Sequence, residues 1–309
     1  MNGLILFVVN EKSGNGRGNK IRTKVEERLR ANGTAYEMLA TSSESEAVVR
    51  VGEILKRGSV KAVAVIGGDG TLHGLLPVVA GSGIPYGLIP SGSGNDTSRT
   101  LGIPADPMKA LDIILAGRTR AVDLLETFTE GGVKQRTLTA VAVGLDGEVA
   151  ADVNGSRYKS WCNKLGVGSL AYIIGLFRAL TKFKPRSITV TVDGVAREFS
   201  RGWLSVIASG PSYGGGLRIC PDAKPDDGRL HVCVVHNCGV GRILLIFPTL
   251  LTGGHVKRTR YVTILSGSSA TVRSSSPMLA FGDGEPSGVT PITAVLRPNQ
   301  LDFLIAVSG

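Results

Sequence analysis

The stretch Val60 to Thr71, VKAVAVIGGDGT, decides the fold: an apolar run stops abruptly in two glycines, an aspartate, a glycine and a threonine. Val63, Val65 and Ile66 are β-formers in a run short enough for a strand buried on both faces of a parallel sheet. Gly67, Gly68 and Gly70 permit positive φ and let backbone N–H groups approach a ligand with no Cβ in the way. Asp69 stands at the carboxyl end of that strand, where open α/β sheets hold their ligands. A carboxylate among phosphate-facing amides points to a bridging Mg²⁺. The plainer reading is a tight strand-to-helix turn. Three glycines flanking one acid favour a phosphate site over it.

Outward from this stretch, the chain of 309 residues exceeds the range in which one core keeps growing, so two domains are expected. With 42% hydrophobic and 19% charged residues it is globular and not disordered. A net charge of +10 favours an anionic partner: nucleotide phosphate, an acidic lipid surface or nucleic acid. Aromatics are only 5%, too few for base stacking, so nucleic acid is not expected. Cys162, Cys220, Cys233 and Cys238 form no CxxC pair, and with His236 they complete no zinc spacing; they read as reduced cytosolic thiols. The N-terminal apolar run lacks a basic flank and a cleavage site, so it reads as a first strand and not as a signal peptide. No stretch reaches the ~20 apolar residues of a spanning helix. Any membrane association is therefore expected to be peripheral.

Before the central stretch, Leu4 to Val9 reads as strand one and Asn10 to Gly18, NEKSGNGRG, as a glycine-rich loop entering a helix, an order suited to anion binding. It is neither a Walker A loop nor a dinucleotide fingerprint. Lys12 and Arg17 add positive charge, or are simply solvated. Ile21, Val25 and Leu29 make a helical stripe ending at Gly33. Tyr36 to Ala40 is strand two and delivers Thr41 to the same sheet edge, where a dinucleotide enzyme would place an acid. Ser43 and Glu46 form a capping box for a helix with inner face Val48, Val51 and Leu55. Past the central stretch come a helix over Leu72 to Ala80, the strand Tyr86 to Ile89 and a second unusual loop, PSGSGND, Pro90 to Asp96. Asp106 caps a last helix with Pro107 at its first position and Gly117 after its end. The pattern is a doubly wound parallel sheet over residues 1–122.

Over residues 123–309 the pattern turns to period-two alternation, with a DG hairpin turn in VDGV, Val192 to Val195. Many short strands indicate a mostly antiparallel β-sandwich domain. Two apolar segments, Leu165 to Leu180 and Gly241 to Leu251, read as buried helices or as walls of a lipid-accepting groove. Three acidic clusters remain. Asp222, Asp226 and Asp227 in PDAKPDDGRL could hold a hard cation or only form turns. Asp146 with Glu148 in LDGEVA reads as a turn after a strand. Phe281 to Glu285, FGDGE, offers two carboxylates two residues apart, one of which could take a proton from an attacking hydroxyl.

GGDGT at Gly67 to Thr71, NxxSG at Asn10 to Gly14, PxGSGND at Pro90 to Asp96, AKPDDG at Ala223 to Gly228 and DGE at Asp283 to Glu285 together resemble bacterial soluble diacylglycerol kinases and related lipid kinases. The resemblance covers nearly the full chain. GGDGT alone is shared with NAD kinases and, loosely, phosphofructokinases; the ordered set is more specific. It implies ATP-dependent phosphorylation of a lipid hydroxyl, diacylglycerol foremost, in a cleft between the α/β nucleotide domain and the β-sandwich. It further implies that Asn10, Glu11, Lys12, Ser13, Gly14, Thr41, Gly67, Gly68, Asp69, Gly70, Thr71, Leu72, His73 and Ser93 surround ATP, with Asp69 acting through Mg²⁺. The base would be Asp283 or Glu285, with Asp283 favoured and Asp123 in a supporting charge network. Asp227, with backbone oxygens near Lys224 and Arg229, would hold a second, structural Mg²⁺. These roles suit phosphoryl transfer, which needs positioning and charge neutralisation more than covalent chemistry.

The chain departs from that family's pattern at several points. Glu11 replaces a proline and brings negative charge near phosphate, Asn15 replaces a lysine, His73 and Gly74 replace asparagine and glutamate, and Ser93 replaces threonine. Lys12 or Arg17 would then supply the missing charge. The positive net charge suits work at the cytoplasmic leaflet, peripherally bound to an anionic membrane surface. An NAD kinase and a catalytically silent nucleotide- or lipid-binding regulator are the alternatives. A homodimer through an edge strand could form, though nothing in the sequence requires it.

Overall fold

In the computed structural model, which describes residues 3–11, 13–41, 43–92, 94–132, 134–156 and 168–306, the apolar runs of the first half become parallel strands. β1 (Leu4–Val9), β2 (Tyr36–Ala40), β3 (Val60–Gly67) and β4 (Tyr86–Pro90) lie in the order β4-β3-β1-β2. Because the chain leaves β1 for one side and returns to its other side, the sheet has a switch point between β1 and β3. Ligands of doubly wound sheets bind at the carboxyl ends of the strands there. Val9 pairs with Ile66 and Gly67 with Pro90, so three strands end at one level. Ile5 to Val9 and Ala62 to Ile66 are all buried, as continuous apolar runs covered on both faces must be.

The covering helices are α1 (Ser13–Ala31), α2 (Glu44–Lys56), α3 (Asp69–Gly74), α4 (Leu76–Val79), α5 (Asp96–Leu101) and α6 (Pro107–Ala116). Ile21, Val25 and Leu29 are buried along α1 as their spacing predicts. The Ser43 hydroxyl accepts from the Glu46 amide, but α2 buries Ala47, Val51 and Ile54 rather than Val48 and Leu55. Its stripe is rotated by one residue from the predicted one. The helix expected over Leu72 to Ala80 is two short helices, because Pro77 has no N–H to continue the first. Asp106 caps α6 through the amides of Met108 and Lys109, at 2.9 and 3.0 Å, and Gly117 ends it at φ 67°.

The chain divides into two units, Met1–Val122 with Asn299–Gly309, and Asp123–Pro298. Residues 299–306 thus group with the first unit, where Phe303 pairs with Tyr86, whereas the sequence reading had placed them in the second.

The second unit is antiparallel and β-rich. Its strands are β5 (Thr119–Thr129) from Asp123 on, β6 (Lys134–Thr137), β7 (Ala140–Gly144), β8 (Arg186–Val192), β9 (Val195–Ala208), β10 (Leu230–His236), β11 (Val262–Gly267), β12 (Ser269–Ser274), β13 (Leu279–Gly282), β14 (Glu285–Val289) and β15 (Ile292–Leu304) as far as Pro298. Period-two alternation gives the sheet two apolar faces. Val141, Val143 and Ile207 enter one core, while Ala140, Ala142, Val206 and Ala208 enter the other. That second core is covered by α7 (Leu145–Asn154), α8 (Gly168–Lys182) and α9 (Val240–Ile246). Val192 and Val195 flank a hairpin turn with Asp193 at φ 46° and Gly194 at φ 83°, as VDGV predicts.

Three expectations change here. LDGEVA is the first turn of α7 and not an isolated turn, since the chain enters a helix directly from β7. The segment predicted over Leu165 to Leu180 begins outside the described residues, and its later half is amphipathic: Leu176, Ala179 and Leu180 are buried while Phe177 and Arg178 are exposed. Gly241 to Leu251 is not a buried helix; α9 passes into a 3₁₀ turn at Phe247–Leu251, and only Ile243, Ile246 and Leu250 are buried. The last strand, β15, runs unbroken through Pro298. Cys220, Cys233 and Cys238 are free buried thiols; Cys162 lies outside the described residues. Burial pushes the Cys220 thiol up to about 12, far from a reactive thiolate.

Candidate functional site

Three loops leave the carboxyl ends of β1, β3 and β4, and hydrogen bonds tie them together. Asn10 Nδ2 donates to Thr71 Oγ1 at 3.0 Å, and Ser91 Oγ donates to Ser13 Oγ at 2.9 Å. The glycines make that approach feasible. A Cβ on Gly92 would lie 2.7 Å from Gly68 Cα, and one on Gly68 would lie 3.2 Å from Gly92 Cα. Gly14, at φ 58°, would press a Cβ onto the Ser91 carbonyl oxygen. Gly67, Gly68 and Gly70 were expected to supply positive φ, yet none of them has it; Gly68 sits at φ −99°. Gly67 and Gly68 are instead required by close packing, whereas a Cβ on Gly70 would meet no atom within 4 Å.

Asp69 opens α3 and reaches across to α5. Its Oδ2 accepts from the Asp96 amide at 2.9 Å and its Oδ1 from the Thr97 amide at 3.1 Å. The carboxylate thus satisfies N–H groups that the first turn of α5 leaves without intrahelical partners. Each carboxylate oxygen can accept about two hydrogen bonds or ligands, so Asp69 retains coordinating capacity for a hard cation. His73 is buried against Thr97, with Nε2 3.1 Å from Oγ1, and Leu72 gives its carbonyl to Tyr86 Oη at 2.7 Å. Both belong to the packing under the loop. Thr41 follows β2 directly and donates its amide to Val9 O at 3.3 Å.

Glu11 does not confront the loop with an unbalanced charge, because Arg22 Nη1 lies 2.6 Å from its Oε1. The loop before α1 is shorter than the sequence suggested, with the helix assigned from Ser13. Lys12 and Ser93 lie outside the described residues, and Arg17 is exposed.

In the second unit, Asp283 and Gly284 form the two-residue turn between β13 and β14, at φ 50° and 87°. That geometry requires positive φ at both positions, which Asp-Gly supplies. The Asp283 carboxylate accepts the amides of Leu138, Thr139 and Ala140 at 2.6, 3.0 and 3.2 Å, and the Thr139 hydroxyl as well. Glu285, at the start of β14, is exposed. Asp123 is 1% exposed on β5 and accepts the Gly228 amide at 2.8 Å, while its own amide donates to Pro225 O at 2.7 Å. The structure therefore joins Asp123 to the PDDG loop, which the sequence reading had kept apart.

Within that loop Asp227 Oδ1 accepts the Arg229 amide at 3.0 Å, and Oδ2 lies 3.8 Å from His231 Nε2. Lys224 and Arg229 are exposed. Among the described residues no three His, Cys, Asp or Glu side chains gather into a metal centre. A cation at Asp227 would depend on backbone carbonyls and water, a hard-oxygen set of the kind Mg²⁺ accepts.

Sequence reasoning missed Asp96, Thr97, Ser91 and Thr139. PSGSGND was noticed, but only Ser93 was nominated from it, although Asn95 at φ 54° marks the loop's tight turn into α5. It also missed Tyr213, whose hydroxyl donates to Asp146 Oδ2 across a long sequence separation. Burial raises the Asp146 carboxyl above its usual range, and the Tyr213 hydrogen bond opposes that shift.

Two families match in register with the two halves of this architecture. Residues 4–127 match the diacylglycerol kinase catalytic domain, and residues 139–305 match the YegS C-terminal NAD kinase beta sandwich-like domain. The chain belongs to the diacylglycerol kinase and YegS-like lipid kinase family. It is 29% identical to a protein named diacylglycerol kinase from Mycobacterium tuberculosis, over 96% of each chain. It is 27% identical to a protein of that name from Staphylococcus haemolyticus, over 82% of this chain and 73% of the other. A crystal structure described as a diacylglycerol kinase from Bacillus anthracis str. Sterne superposes with a TM-score of 0.72 at 21% identity, over 98% of this chain and 97% of that one. This last likeness concerns the fold. Membership of the family makes the chain a lipid-kinase-like phosphotransferase.

Proposed function

We propose that this lipid kinase transfers the γ-phosphoryl group of ATP to the hydroxyl of diacylglycerol, giving phosphatidic acid, at the cytoplasmic membrane surface. The observation that carries the reading is the convergence of the Asn10–Gly14, Gly67–Thr71 and Ser91–Asp96 segments at the switch point of a doubly wound sheet. Backbone N–H groups of such loops, bare of Cβ at Gly68 and Gly70, suit phosphate oxygens.

The roles follow from the residue types. The first unit's loops would hold the triphosphate, and Asp69 would hold the Mg²⁺ that accompanies it. That ion, when bound, neutralises phosphate charge. The acceptor oxygen attacks the γ-phosphorus, the bond from γ-phosphorus to the β–γ bridging oxygen breaks, and ADP leaves with that oxygen. The proton of the acceptor hydroxyl passes to a carboxylate of the DGE turn, for which Asp283 is our assignment with Glu285 as its neighbour. Asp123 fixes the PDDG loop, and Asp227 would hold a structural cation there. Among the described residues no helix is long and apolar enough to cross a membrane. Contact with lipid in this reading is peripheral, and nucleic acid has no part in it.

The second domain's likeness to NAD kinases keeps phosphorylation of NAD as the reading to test against. Labelled ATP is incubated with mixed vesicles of diacylglycerol, monoacylglycerol, sphingoid base and undecaprenol, with NAD in parallel. Label in phosphatidic acid is the expected result. Label only in NADP, or in no product, would overturn the proposal.

A further inference from the structure

Between Asp227 and Asp283 the chain contains no acidic residue. Within that span α9 and the 3₁₀ turn after it place apolar side chains in solvent where burial was expected. Val240 is 43% exposed, Leu244 37%, Leu245 61% and Leu251 63%. Val240 and Leu244 are one helical turn apart, so they share a face. The opposite face is anchored by Ile243 and Ile246, which are buried. The outward leucines are thus not an unfolded end of the helix; they are held outward by a packed inner face.

Basic residues lie within these elements and close after them. Arg242 lies within α9, and Lys257, Arg258 and Arg260 follow the 3₁₀ turn; all four are exposed. Tyr261 gathers two of them, with the Arg242 and Arg260 guanidinium carbons 5.0 and 5.7 Å from its ring centroid. Such cation–π contacts hold both guanidiniums at the ring of Tyr261, which packs against the core that contains Ile243 and Leu250.

Solvated surfaces of monomeric proteins seldom present contiguous large apolar side chains, and one rimmed by polar groups marks an interaction site. Here every charged residue of the span 228–282 that carries the face is basic. A protein partner would need an acidic rim around an apolar centre. An anionic bilayer offers both layers at once, with acyl chains below and phosphates above, and it binds short amphipathic segments by this combination. Arg and Lys stems lie along apolar surface while their heads reach phosphate.

The geometry points to the face formed by Val240, Leu244, Leu245 and Leu251, with Arg242, Lys257, Arg258 and Arg260 around it, as the surface that docks this protein on an anionic lipid bilayer. The inference deepens the lipid-kinase proposal and rests on it for the purpose of docking, but the surface itself is tested by binding alone. The four leucine and valine side chains enter the boundary between headgroups and acyl chains, and the basic side chains engage phosphate. Screening by salt weakens the second contribution and leaves the first.

The test is co-sedimentation of the full chain with vesicles of phosphatidylcholine, with or without phosphatidylglycerol. The wild type is expected to bind the anionic vesicles, less so at high salt and weakly to phosphatidylcholine alone. The Leu245→Asp, Leu251→Asp pair and the Arg258→Glu, Arg260→Glu pair are each expected to lower affinity roughly tenfold or more. All four side chains are exposed, so thermal melting should be unchanged. A Lys20→Glu, Lys61→Glu pair makes the same change in net charge on the first unit and should bind as wild type. Phosphorylation of a short-chain diacylglycerol dissolved as monomers should survive in both patch variants, while phosphorylation of vesicle-borne diacylglycerol falls. Binding by wild type with no lipid phosphorylated would remove the kinase reading and leave the docking surface standing. Equal vesicle binding by wild type and patch variants would overturn the docking surface. So would a homodimer that Leu245→Asp dissociates with no loss of vesicle binding, since the face would then belong to a second copy.

Discussion

Asp69 Oδ2 accepts the amide proton of Asp96 at 2.9 Å, so the acid that follows β3 caps the helix that follows β4. The Thr97 amide, on Oδ1, completes the cap. One carboxylate therefore stabilises the loop pair and, in the proposed function, also neutralises phosphate charge through Mg²⁺. Those two tasks separate on substitution. Asp69→Ala loses both amide partners and should cost about 1 kcal/mol of stability, the usual worth of a helix cap. Asp69→Asn keeps one acceptor oxygen but turns an –NH2 on the other amide, so it should lose part of that stability and still fold. Both should lose lipid phosphorylation by on the order of a hundredfold, the scale on which preorganised charge stabilisation acts in such sites. Melting curves and turnover on the same preparations make the check; an Asn variant with wild-type turnover would remove Asp69 from the chemistry.

The glycines of the site divide by what surrounds them. Gly92→Ala drives a Cβ to 2.7 Å from Gly68 Cα and should destabilise by about 1–3 kcal/mol, the cost of overpacking against backbone. Gly70→Ala meets no protein atom within 4 Å, at an exposed position without positive φ. Its melting temperature should match wild type or rise slightly, since alanine reduces unfolded-state entropy. If backbone near Gly70 receives phosphate, ATP binding measured by calorimetry should nonetheless weaken. Unchanged affinity would place the triphosphate elsewhere.

Much of the first unit was legible because its signals are local. Val63 to Ile66 and Ile5 to Val9 are apolar throughout and had to be covered on both faces, and Ser43 and Asp106 announced their helices through side chains that reach only two or three residues. The ladder of β9 could be seen as alternation, but not which strands it joins, since alternation carries no register. Partners far apart in sequence left the fewest marks. Nothing near Asp283 names Leu138 to Ala140, and nothing near Asp123 names Gly228. The apolar run of α9 misled for a related reason: hydrophobicity reports the preference for leaving water, and the fold satisfied it for Ile243 and Ile246 while leaving Leu244 and Leu245 outside.

The two acids of the DGE turn should be distinguishable by stability. Asp283 holds three successive amides and a threonine hydroxyl, so Asp283→Asn forces one oxygen's worth of acceptors to be replaced by a donor. Hydrogen bonds to charged groups contribute about 1.5–3 kcal/mol each, and this variant should lose at least that much. Glu285→Gln, at an exposed position, should melt as wild type. If Asp283 takes the proton, its Asn variant should lose turnover even under conditions where it is fully folded, with ATP affinity retained. Turnover lost in Glu285→Gln and kept in Asp283→Asn would reassign the base to Glu285.

The second unit should also lose stability in mild acid, through two histidines buried without charge. His255 is fully buried and donates Nε2–H to Ile219 O at 2.9 Å; His236 lies 2.8 Å from Thr263 Oγ1 and 4.7 Å from the Phe199 ring. Burial lowers both below the ordinary value of 6.5. The folded state then binds fewer protons than the unfolded state. Stability from these groups is present above 6.5 and is lost as pH falls through their folded-state values, with a slope of at most about 1.4 kcal/mol per pH unit for each histidine. Asp146 works in the opposite sense at lower pH, because its raised carboxyl makes the folded state hold a proton more tightly as pH climbs from 3.8. The histidine effect is therefore cleanest just below 6.5. Urea unfolding followed across that range should show the midpoint falling with pH, and a His236→Gln, His255→Gln variant should flatten the fall. A wild-type midpoint that stays level through the window would mean that both imidazoles find room for a proton in the folded state.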